Sequence, residues 1–286
     1  MIIGNKIAEA RKKVNISQAQ LAQRLFISPQ AVGKWERGES MPDIITLNRL
    51  AEILGVDLNY FSESFQSIAA EKAPSESLGK QKKNLNWDMS RGNWVGADFS
   101  GLKNLHEKFS SSNMQNCKFI GSDLSGLLLK SNNVDSCDFS GSDIKSSNIQ
   151  RSNLGNNLYK NCSLKETEFS ESNISGCDFS GADFTGTAFK NSNFLKNSLV
   201  TALWNRTSFI GTAIDDTIFN GTMEDCYFEN CSFYKVTFQN ATLINTFFKN
   251  KSHKRIRFID CQADRMTYEF LKNGKADLTG ITLLTK

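Results

Sequence analysis

The chain has 286 residues, room for one large or two ordinary domains, and its 34 Lys plus Arg against 30 Asp plus Glu leave a formal charge of only +4. So even a balance names no strongly acidic or basic partner. No stretch reaches the apolar length of a membrane span and no apolar h-region opens the chain, so the expectation is a soluble cytoplasmic protein with no membrane partner.

The first helix is expected over Asn5–Val14, with Ile7, Ala10 and Val14 on one side. Ser17-Gln18-Ala19-Gln20 has the spacing of a capping box and opens a second helix through Leu25, with Phe26 and Ile27 in the turn after it. Ser28-Pro29 supplies an N-cap followed by Pro at the first helical position. The third helix then runs to Arg37 and stops at Gly38. A loop at Met41-Pro42-Asp43 precedes a fourth helix, Thr46–Leu54, stopped by Gly55. Val56, Leu58, Tyr60 and Phe61 close a small core.

The segments Ser17–Ala22, Ile27–Val32 and Lys34–Gly38, continued by Pro42, Leu47, Leu50-Ala51 and Leu54-Gly55-Val56, resemble the XRE family of Cro- and repressor-type helix-turn-helix domains. The resemblance implies double-stranded operator DNA as partner, with the third helix in the major groove. A unit of this size reads one half-site, so a homodimer is expected. Gln30 has the chemistry for a bidentate contact to adenine, Lys34 for guanine O6/N7, and Ala31 for a thymine methyl. Gln18 and Ser28, at helix N-termini, would hold phosphates, as would Arg24 and Arg37. Leu21, Val32 and Trp35 are expected in the core, and Glu36 in a structural role because a carboxylate facing DNA is unfavourable. Gly33 departs from the family's small polar residue and costs the helix about 1 kcal/mol relative to Ala.

The helix-turn-helix domain is placed at 1–65 and a flexible linker at 66–90. The linker holds Ala73-Pro74-Ser75-Glu76-Ser77 and a Lys-rich stretch ending in Lys82-Lys83. From residue 91 onward a different period takes over. Ile174, Phe179, Phe184, Phe189 and Phe194 fall every fifth residue. Ser172, Cys177, Ala182, Thr187 and Ser192 lie two before them, and Gly or Asn follows most of them by two. Five steps form no stripe on a helix and alternate faces on a strand. The chain must therefore turn once per pentad, with Gly or Asn supplying the left-handed corner. The result is an all-β solenoid whose centres and small partners face inward.

This pattern is similar to the pentapeptide-repeat family, and the resemblance implies a right-handed quadrilateral β-helix over 91–286, four pentads per coil. The register begins near Trp94 and Phe99, falters from Leu102 to Glu107 where Asn104 would be a centre, and holds from Phe109 to Phe219. One residue is then lost, and Met223, Phe228, Phe233, Phe238, Leu243 and Phe248 continue in a new register; a corner is expected to absorb the loss. His253 and Ala263 occupy weak centre slots, and Tyr268, Leu278 and Leu283 are expected to complete the last coils. Nine or ten coils at about 4.8 Å each would span on the order of 45 Å.

All seven cysteines precede a centre slot by two residues, so they are expected as buried thiols. Cys117 and Cys137, twenty apart, should stack in adjacent coils, reduced in a reducing compartment. His106 and His253 have no ligand-spaced neighbours. The Asp residues before the centres recur with the repeat, as turn-forming residues do. No catalytic, metal or cofactor constellation emerges. The expected function is sequence-specific transcriptional regulation, the solenoid serving as a protein-interaction, sensing or dimerisation arm. Some pentapeptide-repeat proteins resemble DNA and bind gyrase, protecting it from quinolones, which is the alternative. From Arg91 onward 22 basic residues face 20 acidic ones, where a DNA mimic would be strongly acidic. A third reading is an interaction scaffold with vestigial DNA binding.

Overall fold

The structure is a computed structural model that describes residues 2–25, 27–42, 44–56, 60–61, 89–103, 105 and 109–284. Phe26, Leu58, Asn104, His106, Glu107 and residues 66–88 of the expected linker lie outside the described residues. The chain divides into two units between Asn86 and Trp87.

The first unit is helical: α1 Ile2–Lys13, α2 Gln18–Leu25, α3 Pro29–Glu36 and α4 Ile44–Leu54. Each boundary has a local cause. The capping box is closed in both directions, Gln20 N donating to Ser17 Oγ at 3.1 Å and Ser17 N to Gln20 Oε1 at 2.7 Å. Ser28 caps α3 from an extended conformation, and Gly38 and Gly55 take left-handed φ of 73° and 65° just past α3 and α4. Ile7, Leu21, Val32, Trp35, Leu47, Leu50 and Phe61 form the buried core.

The second unit is a four-sided parallel β-solenoid. On one side the strands Asn113–Gln115, Asn133–Asp135, Asn153–Gly155 and Asn173–Ser175 pair in parallel, each residue with the one twenty later. Leu128–Lys130, Asn148–Gln150, Glu168–Ser170 and Ala188–Lys190 do the same on a second side. The remaining two sides are ladders of single bridges, such as Asp138↔Leu158 and Asp143↔Ser163. Met89 belongs to the opening turn: its carbonyl accepts from Trp94 Nε1 at 3.2 Å and from Ser112 Oγ at 2.9 Å.

Because the rise per coil falls within the centroid spacing of offset-stacked aromatic rings, the centres stack. Phe119 lies 4.7 Å from Phe139, Tyr159 4.8 Å from Phe179, and Phe184 4.7 Å from Trp204, each pair within 8° of parallel. Burying each such ring contributes about 2–3 kcal/mol. The small inward residues carry the polar share. Thr167, Thr187 and Thr207 donate to carbonyls 23 residues earlier at 2.7–2.8 Å. Asn157 both donates to Val134 O at 3.0 Å and accepts from Cys137 N at 2.8 Å, so the interior amide is satisfied. The Asp before a centre accepts from the backbone two residues on, as at Asp178–Ser180 and Asp183–Thr185, both 3.0 Å.

The corners are left-handed whether or not glycine occupies them: Gly141 has φ 68°, Asn161 54°, and Arg151 and Glu171 51° and 50°. A side chain there costs roughly 1–2 kcal/mol. The lost residue falls where expected, at a corner. Phe219 pairs with Phe238 nineteen later, Gly221 with Ala241 twenty later, and Gly221 turns with φ 78°.

The last coils depart from the repeat. Tyr268 is not a strand centre. It lies in α5, Arg265–Asn273, capped by Asp264, whose side chain accepts from Thr267 N at 2.8 Å. Thr267 and Leu271, four apart on one helical face, are fully buried, so the helical period overrides the pentad here. Leu283 lies in the final strand, Ile281–Leu283, and is 45% exposed; no core slot encloses it. His253 and Ala263 do fill inward slots. Six cysteines are buried and Cys231 is half-buried, all as free thiols, and Cys117 N donates to Cys137 Sγ at 3.3 Å in the adjacent coil.

Candidate nucleic-acid interface

Helix α3 is amphipathic, and its faces have different occupants. Val32 and Trp35 point into the unit, while Gln30 and Lys34, one turn apart, are exposed together. Ala31 is half-buried between them. The N-terminus of α3 is open: Ser28 is exposed, and its Oγ accepts from Ala31 N at 3.3 Å. That leaves its hydroxyl proton available to an anion at a helix end that already favours negative charge.

Behind this face Glu36 gathers two helices. Its carboxylate takes Arg11 Nε and Nη2 of α1 at 2.6 and 3.0 Å, and Gln18 Nε2 of α2 at 2.7 Å. Arg11 Nη1 also donates to Ile16 O at 2.8 Å. Burial pushes the Glu36 carboxyl up, but the hydrogen bonds from Arg11 and Gln18 outweigh it and hold the group below its ordinary value. A bidentate guanidinium and an amide on one carboxylate fix the angle between α3 and the two helices before it. Gln18 is therefore held on one side by Glu36, with its Oε1 near Gly33, where a methyl group would lie 3.7 Å from it and 3.0 Å from Arg37 Nη1. Position 33 thus faces Gln18 and Arg37 and is buried.

Arg24 is exposed on α2. Arg37 is exposed too, but its guanidinium is engaged by Glu39, Nε to Oε1 at 2.6 Å and Nη2 to Oε2 at 3.1 Å. Meeting a phosphate would mean exchanging that carboxylate, a small cost for a surface pair. Gln30, Ala31, Lys34 and Ser28 share α3 and its cap. Gln18 joins them through Glu36, and Arg24 and Arg37 flank them. Glu36 has the structural part expected of it, and Arg11 and Gln18 converge on it. Arg11 and Glu36 lie 25 residues apart, with no local spacing to betray the pair.

A helix-turn-helix family model matches residues 7–61, and a pentapeptide-repeat model matches residues 160–194 with eight copies. The chain joins a helix-turn-helix unit to pentapeptide repeats. Over 59 residues it is 36% identical to the SPbeta prophage-derived uncharacterized HTH-type transcriptional regulator YonR of Bacillus subtilis (strain 168), covering 21% of this chain and 55% of that protein. Over 87 residues it is 28% identical to the HTH-type transcriptional activator BcrR of Enterococcus faecalis, covering 30% and 42%. The chain thus spans about half the length of these curated relatives. Among solved structures, HetL, a pentapeptide repeat protein involved in heterocyst differentiation regulation from Nostoc sp. strain PCC 7120, is similar at 14% identity and a TM-score of 0.41, over 68% of this chain and 86% of that one. Among the described residues no helix is long and apolar enough to cross a membrane.

Proposed function

We propose that the protein is a sequence-specific transcriptional regulator that binds operator DNA as a homodimer. In this reading α3 lies in the major groove, Gln30 and Lys34 contact base edges, and Ser28, Gln18, Arg24 and Arg37 contact phosphates. Ala31 meets a thymine methyl. The solenoid is the arm through which a partner, a signal or a second subunit acts. The observation that carries this is the exposed pair Gln30 and Lys34 on a helix whose opposite face is anchored by Val32, Trp35 and the Arg11–Glu36–Gln18 junction.

The test begins with selection of the preferred duplex from a random pool, followed by anisotropy at fixed salt, since nonspecific affinity falls steeply with ionic strength. Gln30→Ala and Lys34→Ala should each cost roughly 1–3 kcal/mol on the selected duplex and less on a scrambled one. Ser28→Ala removes a cap of about 1 kcal/mol and a phosphate contact, so it should weaken both duplexes alike. Equal losses on both duplexes for Gln30→Ala and Lys34→Ala would leave phosphate attraction alone and sink base reading.

A further inference from the structure

Through the middle of the solenoid, from Arg151 to Lys190, cations are answered by anions from a neighbouring turn of the coil. Arg151 meets Glu171 at 2.7 Å, Lys160 meets Asp178 at 3.3 Å, Lys165 meets Asp183 at 3.0 Å and, further along, Lys249 meets Glu229 at 2.8 Å. Residues 91–248 hold 13 basic and 16 acidic side chains, whereas residues 249–286 hold nine basic and four acidic ones.

The excess is concentrated at one rim. Strand Ile256–Ile259 lies beside Val236–Gln239 with Val236↔Ile256 and Thr237↔Arg257 in register, so Arg255 follows Lys235 in the same column. Neighbouring coils are about 4.8 Å apart. Lys235, Lys251, Lys254, Arg255 and Arg257 are all exposed. The His253 N–H bond to Gly274 O, 2.8 Å, brings Lys275 beside the same loop. Among the described residues none of these six forms an ion pair. Asp216, one turn before Lys235, is exposed and makes none with it. Lys235 Nζ instead sits 5.3 Å from the ring centroid of Tyr234, itself 53% exposed.

Like charges stacked across a parallel ladder are unfavourable, and the C-terminal dipole of α5 accounts for Lys275 but not for the loop cations. A row of unanswered cations beside an exposed aromatic ring is the surface a polyanion neutralises.

We propose that this rim is a second contact for duplex DNA, gripping phosphates without reading bases. The choice of polyanion rests on the reading of the helical unit as a duplex binder: tethering in one chain raises the local concentration of DNA at the rim. Arg255 and Arg257 engage the backbone as bidentate donors, Lys254 and Lys235 as point charges.

The test uses the full chain, a fluorescein-labelled random duplex and a salt titration. Lys254→Gln, Arg255→Gln and Arg257→Gln are combined, in the native chain and in a Gln30→Ala/Lys34→Ala background. Removing three phosphate contacts should make the slope of log affinity against log salt shallower by roughly 2.7 in both backgrounds. An unchanged slope in both overturns the rim contact. A slope sensitive to the rim substitutions, together with equal losses on the selected and scrambled duplexes for Gln30→Ala/Lys34→Ala, keeps the rim and discards base reading by the helical unit. Rim-dependent sedimentation with phosphatidylserine vesicles, without rim-dependent DNA binding, assigns the surface to anionic lipid and overturns the proposal. The three positions are exposed, so melting should be unchanged. If the triple variant melts early, Arg255→Gln alone is read for a change in slope of about 0.9, and no change overturns the proposal.

Discussion

The two units hold themselves together by opposite strategies. In the helical unit no position repeats: Glu36 is unique, and Arg11 and Gln18 depend on it together. In the solenoid almost every interaction is a copy of its neighbour, so Phe119, Phe139, Tyr159 and Phe179 form one column of stacked rings. Uniqueness lets a surface carry information, because Gln30 and Lys34 are held at one angle only. Repetition gives stability that is spread over many equivalent contacts. The division predicts that damage stays on its own side.

The strongest test of that division is Phe184→Ala, which opens a cavity beneath Trp204 and should cost the solenoid about 3–5 kcal/mol. Calorimetry should show one transition move while DNA affinity of the intact chain persists. Loss of binding with the helical unit still folded would end the idea of two independent strategies. The converse change is Glu36→Ala, which strands the Arg11 guanidinium and the Gln18 amide and should cost the helical unit about 1.5–3 kcal/mol. It should leave the solenoid transition in place; a matching shift in both transitions would break the comparison from the other end.

A subtler probe is pH. His253 is buried, and burial lowers its pKa more than the Leu271 backbone beside it raises it. The unfolded chain therefore binds the proton more readily. This contribution to stability is full above the ordinary histidine value near 6.5 and is lost as pH falls below it. Melting of the solenoid should drop between neutral and mildly acidic pH, and His253→Leu should flatten that drop. An unchanged pH profile in the variant would remove His253 as its source. The smallest effect concerns the thiols. Burial raises Cys162 and Cys226 to about 12 and Cys177 to about 11, so native alkylation should be slow at these positions and complete only in denaturant. Rapid native labelling of Cys177 would contradict its inward placement.

The pentad was legible because its spacing is incompatible with any straight element, and the helix caps because Ser17, Ser28 and Gly38 act over three residues. What the sequence concealed had a different range. The Arg11–Glu36 pair is a long-distance contact that no window contains. The helix Arg265–Asn273 was hidden by coincidence: Tyr268 and Leu283 fall on pentad positions, so the period appeared to continue. The competing signals were Asp264 capping Thr267, the pair Thr267 and Leu271 at helical spacing, and Gly274 as a stop. Among the expected DNA contacts, the exposure of Gln30 and Lys34 follows from helical phase. The capture of Arg37 by Glu39 depends on rotamers.

The shortened turn at Gly221 bears on how such an arm can grow. Since Phe219 stays paired with Phe238 and Trp204 with Met223, the stack counts corners and is indifferent to the number of residues spent reaching each one. Length is therefore quantised by the coil: duplicating one coil would move the C-terminal rim outward by one rung, about 4.8 Å, with the ring stacking inside the coils on either side kept. The arm is a ruler whose graduations can be added or removed by recombination, while its terminal surface is kept intact.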